Sequence, residues 1–329
     1  MHPPALPLSG QLLNTSGLDG GCLFYIDTIS LVVERSSLFI AGGFTNSSPG
    51  RIRNTEVVGQ QSCDYPMVKV RSRTHGITTS DGLHLLCGGA ASNVFRSCTM
   101  FNHSGPAWSE YFPLLEDRQW ASPVALPSGT YMLGGRDSPN TSDFLPVGSS
   151  TGWSRGPAIP GPGVHTSCAA DLNSTHFVVI GGSSSGGGQL VRVYNTLAAA
   201  WTNWPQLPVR LSYPACLRVG RQVLVTGGSD IDTGESTSTF LKIDINTGEM
   251  TTGSPLQQAR QGHEMVEFEG KVLVVSGAIY PDIEKRTTSI EELDETTGRW
   301  KFYPTTLQRA RVGFGLFSIP VKPATLCPF

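Results

Sequence analysis

Residues 176–201 read HFVVIGGSSSGGGQLVRVYNTLAAAW. A short apolar run leads into Gly181-Gly182, a second glycine cluster follows at Gly186-Gly187-Gly188, and Trp201 stands twenty residues beyond Gly181. Two physical explanations compete for such a glycine pair. It can cradle a phosphate on backbone N–H groups, or it can serve the backbone where no side chain fits. A phosphate loop also needs a GK[ST] ending and a following helix, and this stretch has neither.

The same ending recurs along the chain: SLFIAGG to Gly43, LHLLCGG to Gly89, TYMLGG to Gly135 and RQVLVTGG to Gly228, with a degraded form, KVLVVSGA, closing at Ala278. The first glycines are Gly42, Gly88, Gly134, Gly181 and Gly227, with Gly277 read as the sixth, at spacings of 46, 46, 47, 46 and 50 residues. About 14 residues ahead of each pair lies another apolar stretch, as in ASPVAL, HTSCAADL and YPACLRV. Turn signals at Asp81-Gly82, Ser128-Gly129, Asn173-Ser174, Val219-Gly220 and Glu269-Gly270 join the two stretches into hairpins. A polar loop and a third strand follow (NTEVVG, RSCTMF, LVRVYN, TFLKIDI, SIEELD), then Trp108, Trp153, Trp201 or Trp300, with Met250 in the fifth copy. One unit is four short strands that cannot bury both faces alone, so successive units must stack radially. No segment carries a helical period.

This pattern of arginine and histidine, apolar strand, glycine pair, third strand and tryptophan resembles the Kelch repeat, over about residues 28–319. The resemblance implies an all-β, six-bladed propeller with four antiparallel strands per blade. The paired glycines then end each second strand, where packing leaves no room for side chains. The expected layout is an N-terminal tail at 1–27, a single propeller at 28–320 and a C-terminal tail at 321–329. Two segments compete to complete blade 1, TISLVVE (28–34) and RVGFGLFSIP (311–320). Six-bladed Kelch proteins commonly close with the C-terminal segment, and the same is expected here. That makes the termini neighbours and Cys22 and Cys327 partners.

Seven cysteines leave at least one unpaired. Cys87 precedes a glycine pair and Cys98 lies on the third strand of the same blade, so a disulfide across adjacent strands is expected. Cys168 and Cys216 are read at one repeat position in blades 4 and 5, as a second bridge or as buried free thiols. Cys63 is the odd one out. N-x-[ST] occurs at Asn14, Asn46, Asn102, Asn140 and Asn173, five of the ten asparagines where chance predicts about two. The N-terminal MHPPALPLSGQLLNTSG lacks a basic region and an apolar core, so it does not read as a signal peptide. The expected protein is secreted and glycosylated, its signal already removed.

Charged residues make up 15% of the chain, 24 basic against 26 acidic, which argues against nucleic acid as a partner. No apolar run approaches the ~20 residues of a membrane span. HEMVE (263–267) has Glu where a zinc HExxH motif needs His, and reads as a strand rather than the required helix. His75, His165 and His263 are read at equivalent positions in alternate blades, and the Kelch pattern favours packing over a metal for them. Galactose oxidase has a similar propeller, but its Cys–Tyr crosslink and further ligands cannot be assembled here. No cofactor and no catalytic set is expected. The expected function is therefore a non-catalytic extracellular module binding a protein, acidic peptide or glycan through a propeller face. The alternative is an oxidase or sugar-modifying enzyme using the axial channel. The candidate face carries the loops after the glycine pairs and the blade-to-blade connections. Its arginines include Arg51, Arg53, Arg73, Arg118, Arg136, Arg210, Arg260, Arg309 and Arg311, groups suited to carboxylates and sulfates.

Overall fold

The structure, a computed structural model, describes residues 36–319 apart from 46–50, 53, 61–64, 70, 91–94, 103, 106, 184–186 and 282–284. The chain divides into two units, Met1–Glu34, which lies outside the described residues, and Arg35–Phe329. The second is a six-bladed, all-β propeller of antiparallel blades, with four strands in each of blades 2 to 6 and three in blade 1 among the described residues. Blade 2 runs Gly76–Thr78, His84–Cys87, Cys98–Asn102 and Ala107–Tyr111 from the axis outward, and blade 4 runs Cys168–Asp171, His176–Ile180, Val191–Asn195 and Ala200–Asn203. Blades 3, 5 and 6 repeat this order, with inner strands Ser122–Leu126, Ala215–Val219 and Glu264–Phe268. Each inner strand contacts the inner strands of both neighbours, so the ring is closed.

Closure uses the C-terminal segment. Gly315–Ile319 pairs antiparallel with Ser37–Ala41, Phe39 opposite Phe317, and Thr55–Val57 lies on the other side. The competing segment 28–34, together with both tails, Cys22, Cys63 and Cys327, lies outside the described residues.

Second strands such as Phe177–Ile180 and Val272–Val275 are buried throughout, because each is covered on both sides by neighbouring blades. The apolar core is accordingly six wedges, one between each pair of neighbours. Outer strands bury little beyond the tryptophan: in Ala107–Tyr111 only Trp108 is buried. Leu38, Ile40 and Phe314 of blade 1 meet Leu273, Val275 and Ile290 of blade 6, so the last wedge joins the two ends of the chain.

The glycine pair is a blade-to-blade fastening. The first glycine takes a left-handed φ, 68° at Gly181, and a Cβ there would lie 2.7 Å from the Leu211 carbonyl oxygen of the next blade. That turn aims the second N–H at the same oxygen, Gly182 N to Leu211 O at 2.8 Å. Five further pairs repeat the bond, to Arg71, Arg118, Val164, Arg260 and Arg311. In blade 6 the pair is Ser276-Gly277, one residue earlier than the sequence pattern places it: Ser276 has φ 58° and Gly277 donates to Arg311 O. Serine fits there because its Oγ donates to the oxygen that a plain Cβ would crowd, at 2.9 Å.

Two of the three expected cysteine pairs are disulfides here, and the third, Cys22 with Cys327, lies outside the described residues. Cys87–Cys98 ties directly opposed residues within blade 2, Cα atoms 4.1 Å apart. Cys168–Cys216 ties the inner strands of blades 4 and 5. These two are offset by one repeat position, since Cys168 lies four residues past the fastening carbonyl (Val164) and Cys216 five past Leu211.

Candidate binding site

The fastening carbonyl position is Arg71, Arg118, Val164, Leu211, Arg260 and Arg311 around the ring. All four arginines are buried, each with its side chain turned into the blade that follows. Arg118 donates from Nη1 to Gly134 O and Thr141 O (3.0 Å), and pairs with Asp143 at 3.0 Å. Arg260 reaches Ser276 O at 2.9 Å and Glu291 at 2.6 Å; Arg311 reaches Gly42 O at 3.0 Å and Glu56 at 2.8 Å. Arg71 has Thr99 where the others have a carboxylate, and bonds to Leu86 O and Ser97 O, with burial pushing its pKa down to about 10. Blade 5 holds Leu211 and Leu241 in the two places, and blade 4 holds Val164 with Arg192. Three of the four buried guanidinium groups at this position have a carboxylate partner, Arg71 has carbonyl oxygens and the Ser97 hydroxyl instead, and in blades 4 and 5, where the guanidinium is lost, the carboxylate is lost too. This corrects the expectation for Arg118, Arg260 and Arg311: they are internal braces and do not reach a ligand.

Among the other expected arginines, Arg210 is occupied by Asp232 at 2.6 Å, Arg51 and Arg309 are exposed, and Arg53 lies outside the described residues. Arg73 and Arg136 are exposed as well. These two converge on the mouth of the axial channel.

The mouth is built on a ring that the sequence does not announce. Two residues past each fastening position stand Arg73, Trp120, Thr166, Tyr213, Gly262 and Gly313, all left-handed, φ between 55° and 60°. Their backbones bond around the axis: Trp120 N to Arg73 O (2.8 Å), Thr166 N to Trp120 O (3.1 Å), Tyr213 N to Thr166 O (2.6 Å), Gly262 N to Tyr213 O (3.1 Å) and Gly313 N to Gly262 O (3.3 Å). Thr74 N to Gly313 O, 3.5 Å, completes the circle. Glycine holds this conformation freely, whereas four non-glycine residues each cost roughly 1–2 kcal/mol there. The two glycines face Trp120, whose Cη2 would come within 2.7 Å of a Cβ on Gly313 and 3.8 Å of one on Gly262. The indole therefore lies across the axis.

Above it opens a cavity of about 320 Å³ lined by Arg73, Trp120, Arg136, His165, Thr166 and Tyr213. Tyr213 meets Trp120 edge-on at 4.9 Å. His165 Nε2 and Ser183 Oγ are 2.8 Å apart, and burial followed by the Arg136 charge holds the His165 pKa below its ordinary value. Neither mouth arginine has a carboxylate partner among the described residues; Arg73 bonds only to the neutral Gln119 Oε1, 3.2 Å. The sequence had shown the arginines and His165, but not Trp120, Thr166 and Tyr213 beside them. The one available signal was a glycine two residues past arginine in RQG and RVG, at Gly262 and Gly313.

Below the indole, the inner strands enclose a second cavity of about 240 Å³. There His75 Nδ1 meets Glu264 Oε1 at 2.6 Å, across blade 1, where the matching residue is Gly315. The three histidines are not equivalent. His75 and His263 both line this chamber, His263 buried against Thr226 at 3.0 Å, whereas His165 lines the mouth. HEMVE lies on an inner strand as expected, and the described residues hold no group of three or more potential metal ligands.

The expected glycosylation sites differ in setting. Asn173 is exposed in a hairpin turn and its Oδ1 accepts from Thr175 Oγ1, 3.0 Å, within the sequon; Asn102 is also exposed. Asn140 instead donates from Nδ2 to Ile159 O and Gly161 O, at 3.0 and 2.9 Å. Asn14 and Asn46 lie outside the described residues. No helix among the described residues is long and apolar enough to cross a membrane.

No family model matches the chain, and no curated protein matches it in sequence. Among solved structures it is similar in fold to YjhT, a propeller, with a TM-score of 0.64 and 10% sequence identity over 76% of this chain and 91% of that one.

Proposed function

We propose that this protein is a secreted, Kelch-type propeller that acts without catalysis, recognising the acidic group of a protein or glycan partner at the mouth of its axial channel. The observation that carries this reading is the contrast between its arginines. Three of the buried ones have carboxylates within 3.0 Å, whereas Arg73 and Arg136 share a solvent-facing cavity with none. Two disulfides suit an oxidising compartment. Asn102 and Asn173 lie on the turns at the opposite face, so glycans there leave the mouth open, while the bonded Nδ2 of Asn140 makes that site a poor acceptor. The test is the salt dependence of binding to arrays of acidic glycans and acidic peptides. The wild type is expected to bind one class and to weaken with salt, and the variant R73A/R136A is expected to lose both the affinity and the salt slope. An unchanged double variant would refute the site.

The His75–Glu264 contact favours a second reading, an enzyme of the axial chamber. A carboxylate on Nδ1 orients an imidazole for proton transfer at Nε2. Turnover of a bound ligand that disappears in His75→Ala would replace the binding role with this one.

A further inference from the structure

Resting on the binding role proposed for the mouth, the chemistry of its lining gives the ligand a class. We infer that the mouth holds one carboxylate carried on a hydroxylated six-membered ring, the chemistry of a uronic acid residue in an acidic glycan. Three independent features converge on it.

The first is charge. Arg73 projects from the ring of left-handed residues in blade 2, and Arg136 directly follows the glycine pair of blade 3, its backbone N–H held by Gln119 O at 2.8 Å. Guanidinium groups arriving from two blades suit one planar oxyanion shared between them. No carboxylate lines the cavity to neutralise them.

The second is the aromatic wall. Trp120 and Tyr213 stand edge to face at 4.9 Å, both held in a backbone conformation that aromatic residues rarely adopt. Trp120 is kept across the axis by the two glycines of the ring. The rings meet at 78°, so they form a corner rather than a shared plane, and one aromatic face beside the charged pair can take the C–H face of a sugar ring while its carboxylate is held at the side. A bare anion such as sulfate gains nothing from such a face.

The third is a chain of neutral hydrogen-bonding groups. Thr166 Oγ1 meets Ser183 Oγ at 2.9 Å, and Ser183 Oγ meets His165 Nε2 at 2.8 Å, which leaves the His165 Nδ1 side of the ring to a ligand hydroxyl. The cavity of about 320 Å³ accommodates one ring and its substituents but no folded stretch of peptide.

Calorimetric titration of the full chain with glucuronate and galacturonate, free and as oligosaccharides, tests the inference. The comparison ligands are the matching neutral hexoses, inorganic sulfate and an acetylated tetra-aspartate peptide. Saturable binding of one uronate is expected, with the hexose, sulfate and peptide at least about tenfold weaker. R73A and R136A should each lose about tenfold or more, and Tyr213→Leu should weaken the uronate while leaving any residual sulfate binding unchanged. Thermal melts of each variant confirm folding. Sulfate or the peptide binding as tightly as the uronate would overturn the sugar assignment and leave the acidic-ligand reading of the mouth standing. A hexose equal to its uronate would overturn the role of the arginines. No response to any acidic probe, with partner binding untouched in R73A/R136A, would remove both.

Discussion

Arg73 shows how a single residue can be costly to the fold and still belong to it. It is exposed, it makes one side-chain bond, and its backbone sits at φ 56°, where the two matching positions in blades 6 and 1 are glycine. The backbone ring demands this φ at all six positions, so what Arg73 adds over glycine is its side chain, which the proposed binding role would use. Arg73→Gly should therefore raise stability by about 0.5–1 kcal/mol, the left-handed penalty relieved less the extra chain entropy of glycine, while abolishing binding at the mouth. Urea unfolding beside a binding isotherm would check both halves. His263 makes the complementary case in the interior. Burial, then the Arg260 charge, pushes its pKa down to about 3, so the folded protein keeps it neutral while the unfolded chain protonates below about 6.5. Its contribution is complete above pH 6.5 and is lost as pH falls from there toward 3, by up to about 1.4 kcal/mol per pH unit. Melting temperatures should decline from pH 6.5 to 5, before Glu116, held down near 2 by Thr141 ahead of Arg155, begins to titrate. His263→Gln should remove most of that slope, the remainder belonging to His165.

Within a blade, the guanidinium–carboxylate brace and its apolar replacement are two solutions to one packing problem, and this chain contains both. Blade 6 uses Arg260 with Glu291, whose carboxylate also takes the N–H groups of Gln257 (2.7 Å) and Gln258 (3.1 Å). Blade 5 uses Leu211 with Leu241, both fully buried. Glu291→Leu alone leaves an uncompensated buried cation and should cost about 3–5 kcal/mol. Adding Arg260→Leu should recover more than half of that loss, since blade 5 tolerates the same pair. A double-mutant cycle by chemical denaturation measures the coupling, and additive losses would contradict the account. The repeat spacing exposed these arginines as a series and left open whether they bond backbone carbonyls or a ligand. A guanidinium five bonds long is buried or free according to what the next blade places around its end, and spacing along the chain does not report that.

For the whole molecule, closure is the decisive event. The inner strand of blade 1 arrives last, as Gly315–Ile319, and buries Phe317 against Phe39, Phe101 and Trp108. Truncation after Arg311 should leave blades 1, 2 and 6 with exposed apolar wedges and abolish the cooperative unfolding transition, as followed by circular dichroism. The 48-residue separation of Cys168 and Cys216 adds a second long-range constraint, worth about 4 kcal/mol by loop entropy against about 3 for the 11-residue Cys87–Cys98 separation. Opening the inter-blade bridge in C168A/C216A should therefore be the costlier change in a urea titration.

The sequence by itself determined the repeat, the order of strands within it and the Cys87–Cys98 pair. These follow from spacing: a period near 46 residues fixes where a strand returns, and Cys87 and Cys98 fall opposite each other once the two strands are aligned. A six-bladed ring closed by the C-terminal segment was what the Kelch resemblance implied, and Cys168 with Cys216 stood open between a bridge and free thiols. The tertiary structure alone decided the rest. It set the blade 6 pair at Ser276-Gly277, because a left-handed φ and a hydrogen bond to Arg311 define that position rather than the letters GG. It put His75 and His263 in the chamber and His165 at the mouth, since they stand four, three and one residues past their fastening carbonyls. It also drew the mouth from Arg73, Trp120, Thr166 and Tyr213, four residue types with no common pattern. They share only a place on the axis, and a position on an axis exists only after six blades have met around it.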